Sequence, residues 1–202
     1  QAKAYKEMWD ELVTEINGET ISVNLALAKI SKVRQITSGF SYIQGKEPVM
    51  FKTNPKINEL KEVVDEIGNK PIIIFCQYKW EIKTICELFP QRAFALYSET
   101  EEKDDVIKQF TASSSGILVA HPASGGIGLN FNNCDYMIFF SLDYSYMNYY
   151  QARGRIMRAG KKNNATYIHI LCEKSIDMEI YKSLQNKEDN NELFRKLIGV
   201  KA

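Results

Sequence analysis

The sequence predicts an α/β fold: a parallel sheet flanked by helices, with a helical N-terminal segment leading into it. Three observations carry this. Strand-like and helix-like patterns alternate five times between residues 71 and 184, which is the signature of βαβ units. The strand-like runs Pro71–Cys76 and Tyr136–Phe140 are continuously apolar rather than alternating, as strands covered on both faces should be. The 202 residues are 45% hydrophobic and 25% charged, the composition of an ordinary folded chain rather than a fibre or a disordered tail.

In order along the chain, Tyr5–Ile16 reads as an amphipathic helix. Ile21–Phe40 reads as a second, with Leu25, Leu27, Ile30, Val33 and Ile36 among its apolar positions and Gly18 separating the two. Gly39–Pro48 is a turn-rich break. Lys56–Ile67 is a third helix, opened by Asn54-Pro55 and closed by Gly68. Pro71–Cys76 is the first buried strand. Trp80–Phe89 is helical and stops at Pro90, Ala93–Tyr97 is a short strand, and Glu101–Phe110 is a helix. Gly116–Ala120 is a strand that runs into a glycine-rich turn at 124–128. Tyr136–Phe140 is another strand, Tyr146–Arg158 a helix ending at Gly160, and Ala165–Cys172 the last strand. Ser175–Leu184 and Glu192–Ile198 are closing helices. The expected division is a helical segment at 1–44 and one α/β domain at 45–202.

Several functions are excluded on chemistry. The net charge of +1 favours neither nucleic acid nor membrane. The longest apolar runs reach about five residues, far from the roughly 20 that span a bilayer, so no membrane partner is expected. Gln1–Asp10 lacks the apolar core of a signal peptide, and a chain opening on Gln1 is expected to be a fragment. Cys76, Cys86, Cys134 and Cys172 form no C-x-x-C pair, which points to a reducing, intracellular and cytoplasmic setting. His121 and His169 are too few for zinc, and His169, inside an apolar alternation, reads as structural. Gly39–Lys46 has five residues between its glycines, then Glu47 after the lysine, and so is no P-loop. Asp10-Glu11 and Asp65-Glu66 sit inside helical patterns and read as solvated charge. Ser124 has no His or Asp in nucleophile context. No metal site is expected.

The chemistry-bearing stretch runs from 116 to 162. The strand Gly116–Ala120 delivers His121-Pro-Ala-Ser-Gly-Gly-Ile-Gly-Leu-Asn130, where Gly125, Gly126 and Gly128 allow close backbone approach to a ligand. Further on, Gln151, Arg155 and Arg158 are spaced to share one helix face, with Arg153 on another. Two arginines at the ligand edge of a sheet can grip a polyphosphate.

Ile117–Asn130 followed by Gln151-Ala-Arg-Gly-Arg-Ile-Met-Arg-Ala-Gly160 resembles motifs V and VI of superfamily 2 helicases, and most of all their Swi/Snf branch of double-stranded-DNA translocases. Ser141-Leu-Asp143-Tyr144 is similar to the segment between those motifs, Ile72–Gln77 to motif IV, and Leu27–Gly39 to the helix preceding this lobe. The resemblance implies a RecA-like, P-loop-NTPase-type lobe, the second of two, and the lack of a long insertion suggests a compact microbial or phage version. It implies that ATP with Mg2+ is held mainly by a first RecA-like lobe of the same protein, whose P-loop and acidic box do not occur in this chain. It further implies catalytic roles for Arg155, Arg158 and Gln151, nucleotide contact by Gly126, Gly128 and Asn130, and nucleic-acid contact by Gln77, Ser98, Thr100, Ser124 and Gly125. Double-stranded DNA is the implied partner, and this chain alone is expected to hydrolyse no ATP. Tyr97-Ser-Glu-Thr100 departs from the branch's Gly-Ser-Thr pattern by carrying an acid and preceding an acidic cluster. Two rival readings are a non-catalytic helicase-like module that binds DNA or a partner, and an RNA-directed helicase lobe.

Overall fold

Short, wholly apolar strands bury their side chains, and their backbone N–H and C=O groups must then pair with neighbouring strands, from which the sheet follows. A computed structural model describes residues 1–11, 13–22, 26–124, 130–157, 164–187 and 197. In chain order the elements are α1 (Ala2–Glu11), β1 (Val13–Ile16), β2 (Glu19–Ser22), α2 (Ala26–Thr37), β3 (Phe40–Ser41), β4 (Val49–Met50), α3 (Pro55–Ile67) and β5 (Ile72–Phe75). They continue with α4 (Lys79–Leu88), β6 (Ala93–Leu96), α5 (Lys103–Ala112), β7 (Ile117–Ala120), β8 (Tyr136–Phe139), α6 (Tyr146–Arg153), β9 (Thr166–His169) and α7 (Ile176–Asn186). Two compact units result: residues 1–59 with 171–202, and residues 60–170.

In the second unit β5 to β9 form one sheet in the order β6-β7-β5-β8-β9. Every pairing is parallel, with Ile73 opposite Leu118 on one side and Met137 on the other. All four side chains of β5 and of β7 are buried. Burial on both faces explains the continuous apolar runs. From β5 the chain moves out to β6, whereas from β8 it moves the opposite way to β9. The strand order therefore reverses between β5 and β8, and in such sheets ligands bind outside the carboxyl ends of the strands at that point.

In the first unit, an ion pair is buried between Lys56 Nζ and Asp177 Oδ2, 3.1 Å apart and 3% and 8% exposed. Asp177 also accepts hydrogen bonds from Thr37 Oγ1 at 2.9 Å and Cys172 N at 3.2 Å. One carboxylate thus joins α2, α3 and the start of α7.

The N-terminal segment differs from the helical expectation at residues 13–22, which form the antiparallel hairpin β1–β2. Asn17 and Gly18 both have positive φ, 49° and 82°, the geometry of the Asn-Gly two-residue turn. Thr14 and Ile16 are buried while Glu15 is exposed, a two-residue period that a helix would not give. Gly39–Lys46, which mimics a P-loop in outline, covers β3 and the turn that follows it, β3 pairing antiparallel with β4. The helix expected at Glu192–Ile198 lies outside the described residues apart from Leu197.

Candidate functional site

The carboxyl ends of β5 to β8 bring together segments far apart in sequence. At the reversal point the turn after β5 is bound to the turn after β8. Gln77 N donates to Ser141 Oγ at 2.8 Å and to Glu81 Oε2 at 3.0 Å. The same Oε2 accepts from Tyr78 N at 3.1 Å and from Ser141 Oγ at 2.6 Å. Glu81 is fully buried, on the first turn of α4. A buried carboxylate is retained only when donors surround it, and these three do. Gln77 and Asp143 both line a crevice of about 10 Å³, with Pro122, Leu142 and Asn148. Asp143 is fixed in turn, accepting from Tyr144 N at 2.8 Å and Asn148 Nδ2 at 2.6 Å.

After β7, His121 organises the next turn: its carbonyl accepts from Ser124 N at 2.9 Å and its Nδ1 from Ala123 N at 3.2 Å. Burial lowers the His121 pKa, so the neutral ring that accepts this bond is favoured. Ser124 is the last residue described before Gly125, Gly126 and Gly128, which lie outside the described residues, as does Arg158. Asn130 resumes the chain with a buried Oδ1 that has no hydrogen-bond partner among the described residues. Phe131 N donates to Arg155 O at 3.0 Å, so the exit of the glycine-rich segment is tied to the arginine segment.

Gln151 is exposed on α6, and Arg155 is half-buried. They are not joined as one helical face, because α6 ends at Arg153 and Arg155 stands in the turn beyond it. The chain leaves α-helical pairing at Arg155, whose N bonds back to Ala152 O at 3.1 Å, and Ile156 N follows with Arg153 O at 3.5 Å, in a tightened turn. Tyr167 Oη of β9 also donates to the Arg153 carbonyl, at 2.9 Å. Arg153 stacks over the rings of Tyr167 and Tyr149, its Cζ 4.7 and 5.6 Å from their centroids. His169 stacks on Phe139 at 4.9 Å, and its Nε2 lies 2.9 Å from Tyr149 Oη. Burial, aided by the charge of Arg153, pushes its pKa down to about 4, and the structural reading of His169 holds.

Ser98 and Thr100 lie in the turn after β6. Ser98 is exposed. The Thr100 hydroxyl accepts from Tyr97 N at 3.0 Å and donates to Ala95 O at 3.1 Å, so its one proton serves the turn. Glu81 escaped sequence reading because Tyr78, rather than Ser or Thr, stands at the N-cap and hides the capping-box pattern. Among the described residues no group of three or more His, Cys, Asp or Glu could hold a metal ion, and no helix is long and apolar enough to cross a membrane.

Residues 55–160, just over half the chain, match the family described as helicase conserved C-terminal domain. The chain belongs to this family. Protein p41 of Acyrthosiphon pisum secondary endosymbiont phage 1 is 25% identical over 189 residues, covering 91% of this chain and 40% of that protein. The transcription regulatory protein SNF2 of Saccharomyces cerevisiae is 26% identical over 169 residues, covering 80% of this chain and 9% of that protein. Among solved structures, the C-terminal part of the Fun30 ATPase domain superposes with a TM-score of 0.59 at 16% identity, over 73% of this chain and 55% of that one. This helicase lobe is thus of the Swi/Snf type, and its five-stranded parallel sheet is the RecA-like one. The chain spans 40% of the length of protein p41 and 9% of that of SNF2.

Proposed function

We propose that this helicase C-terminal lobe is the second motor lobe of an ATP-dependent DNA translocase or helicase. In this reading Arg155 and Arg158 contribute positive charge toward the terminal phosphates of ATP bound with Mg2+ between two lobes. Gln151 positions them, and Gly126, Gly128 and Asn130 face the nucleotide. The single observation that carries the reading is the Phe131 N to Arg155 O bond, which joins the exit of the glycine-rich segment to the arginine turn. The residues present fit a nucleotide: the buried Asn130 Oδ1 is an acceptor awaiting a donor such as a ribose hydroxyl, and Arg155 supplies fixed positive charge close by in the chain path. ATP supplies the phosphoryl-transfer energy that opening and closing of the cleft would convert into stepping. Gln77, Ser98, Thr100, Ser124 and Gly125 would meet the backbone of double-stranded DNA.

The test is steady-state, DNA-stimulated ATPase of the whole protein with Arg155→Lys and Arg158→Lys. Lysine keeps the charge and loses the planar fork, so turnover should fall by about 10³ or more, with a smaller change in ATP affinity. Unchanged turnover in both variants would remove the catalytic assignment. The 202-residue chain by itself should hydrolyse no ATP; mutation-sensitive turnover by it would overturn the half-site reading.

A further inference from the structure

Glu99 is an acid set between two residues proposed to meet DNA phosphates, and the structure shows what it touches. Its two carboxylate oxygens are divided between two lysines one helical turn apart on α4. Oε1 meets Lys79 Nζ at 2.6 Å, and Oε2 meets Lys83 Nζ at 3.5 Å. Glu99 is 47% exposed, and the lysines 53% and 59%. The hydrogen bond from Lys79 is the largest cause holding the Glu99 carboxyl below its usual range. The three side chains lie where β5 and β6 leave the sheet at their carboxyl ends.

We propose that Lys79 and Lys83 form a phosphodiester-binding pair for double-stranded DNA and that Glu99 is an internal phosphate mimic which the strand displaces. This rests on the reading that the sheet edge meets nucleic-acid backbone. Two oxygens on one carbon, each facing an ammonium, reproduce the arrangement of the two non-bridging oxygens of a phosphodiester. Ammonium groups are compact donors that can exchange one anion for another without the fork geometry an arginine needs. The one proton of the Thr100 hydroxyl is engaged inside its turn, so cationic donors add to what Ser98 and Thr100 offer a phosphate here, and the two lysines that meet Glu99 are such donors. The ion pairs are exposed, so displacing them weakens binding by a small factor, about 1.5 to 5 for each. The acid thereby sets a weak, reversible grip instead of blocking the surface.

The experiment is fluorescence anisotropy of a labelled DNA duplex of arbitrary sequence with the 202-residue chain, across a salt series. Glu99→Gln should bind about 3- to 10-fold more tightly at low salt, and the slope of log K against log salt should steepen by about 1 to 2, close to 0.9 for each lysine made available. Adding Lys79→Gln and Lys83→Gln to Glu99→Gln should erase both gains. Glu101→Gln removes the same charge two residues away from an acid that pairs with neither lysine, and should leave the slope unchanged. The mimic is overturned, with DNA binding by the lobe intact, if the unaltered chain binds and Glu99→Gln binds no tighter. It is overturned equally if Glu101→Gln matches it or the gain survives loss of both lysines. No duplex binding by any variant would overturn the nucleic-acid reading of this edge along with it.

Discussion

Glu81→Gln keeps the shape of the side chain and removes the charge that joins the turns after β5 and β8. In the native chain one oxygen accepts three hydrogen bonds of 2.6 to 3.1 Å in full burial. Bonds to a charged group are worth about 1.5–3 kcal/mol each against roughly 0.5–1.5 for neutral ones, so neutralising the acceptor weakens the set by about 3 kcal/mol. The new amide can turn its carbonyl oxygen to these donors, and its NH2 then takes the buried Oε1 position, where a donor left unpaired costs about 1–3 kcal/mol more. Relief from burying a charge offsets several kcal/mol of this at most. A net loss of about 2–4 kcal/mol follows, and for a chain of this size that lowers Tm by about 5–10 °C. Urea unfolding of the chain should show a lower midpoint at unchanged slope. The paired variant Ser141→Ala should be strongly non-additive with it, since the two side chains share the 2.6 Å bond. A loss below about 1 kcal/mol, or strict additivity with Ser141→Ala, would refute the brace.

Three further outcomes are expected. Asp177→Asn leaves the Lys56 ammonium buried without its counter-charge and should cost about 3–5 kcal/mol in denaturant unfolding, far more than Glu179→Gln, an exposed acid two residues away. Folding holds His169 near pKa 4 against about 6.5 when unfolded, so the unfolded chain binds the extra proton. The His169 contribution is therefore full above about pH 6.5 and is lost as pH falls toward 4. His169→Gln should flatten the stability profile across that window relative to the unaltered chain. Arg153→Ala removes stacking on Tyr149 and Tyr167 and should lower stability by about 1–2 kcal/mol in thermal melts, while leaving ATPase per folded molecule of the whole protein unchanged.

The sheet was legible in the sequence because its signal is local. A strand buried on both faces must be apolar at every position and must end at Gly, Pro or polar residues, and β5, β7 and β8 do both. The Asn17-Gly18 hairpin carried an equally local signal, overridden in the reading by apolar residues that also fit helical spacing. What tertiary structure alone decided is wherever a partner comes from far along the chain. Arg153 at the end of α6 is held by β9, its carbonyl accepting from Tyr167 Oη and its side chain stacking on the Tyr167 ring. Glu81 finds Ser141 sixty positions away, Lys56 finds Asp177 at twice that distance, and Glu99 finds Lys79 and Lys83 across a strand and a turn. Periodicity reports which face of an element is apolar; it holds no information on which charge or hydroxyl the fold will bring opposite it, because that follows from strand order and register.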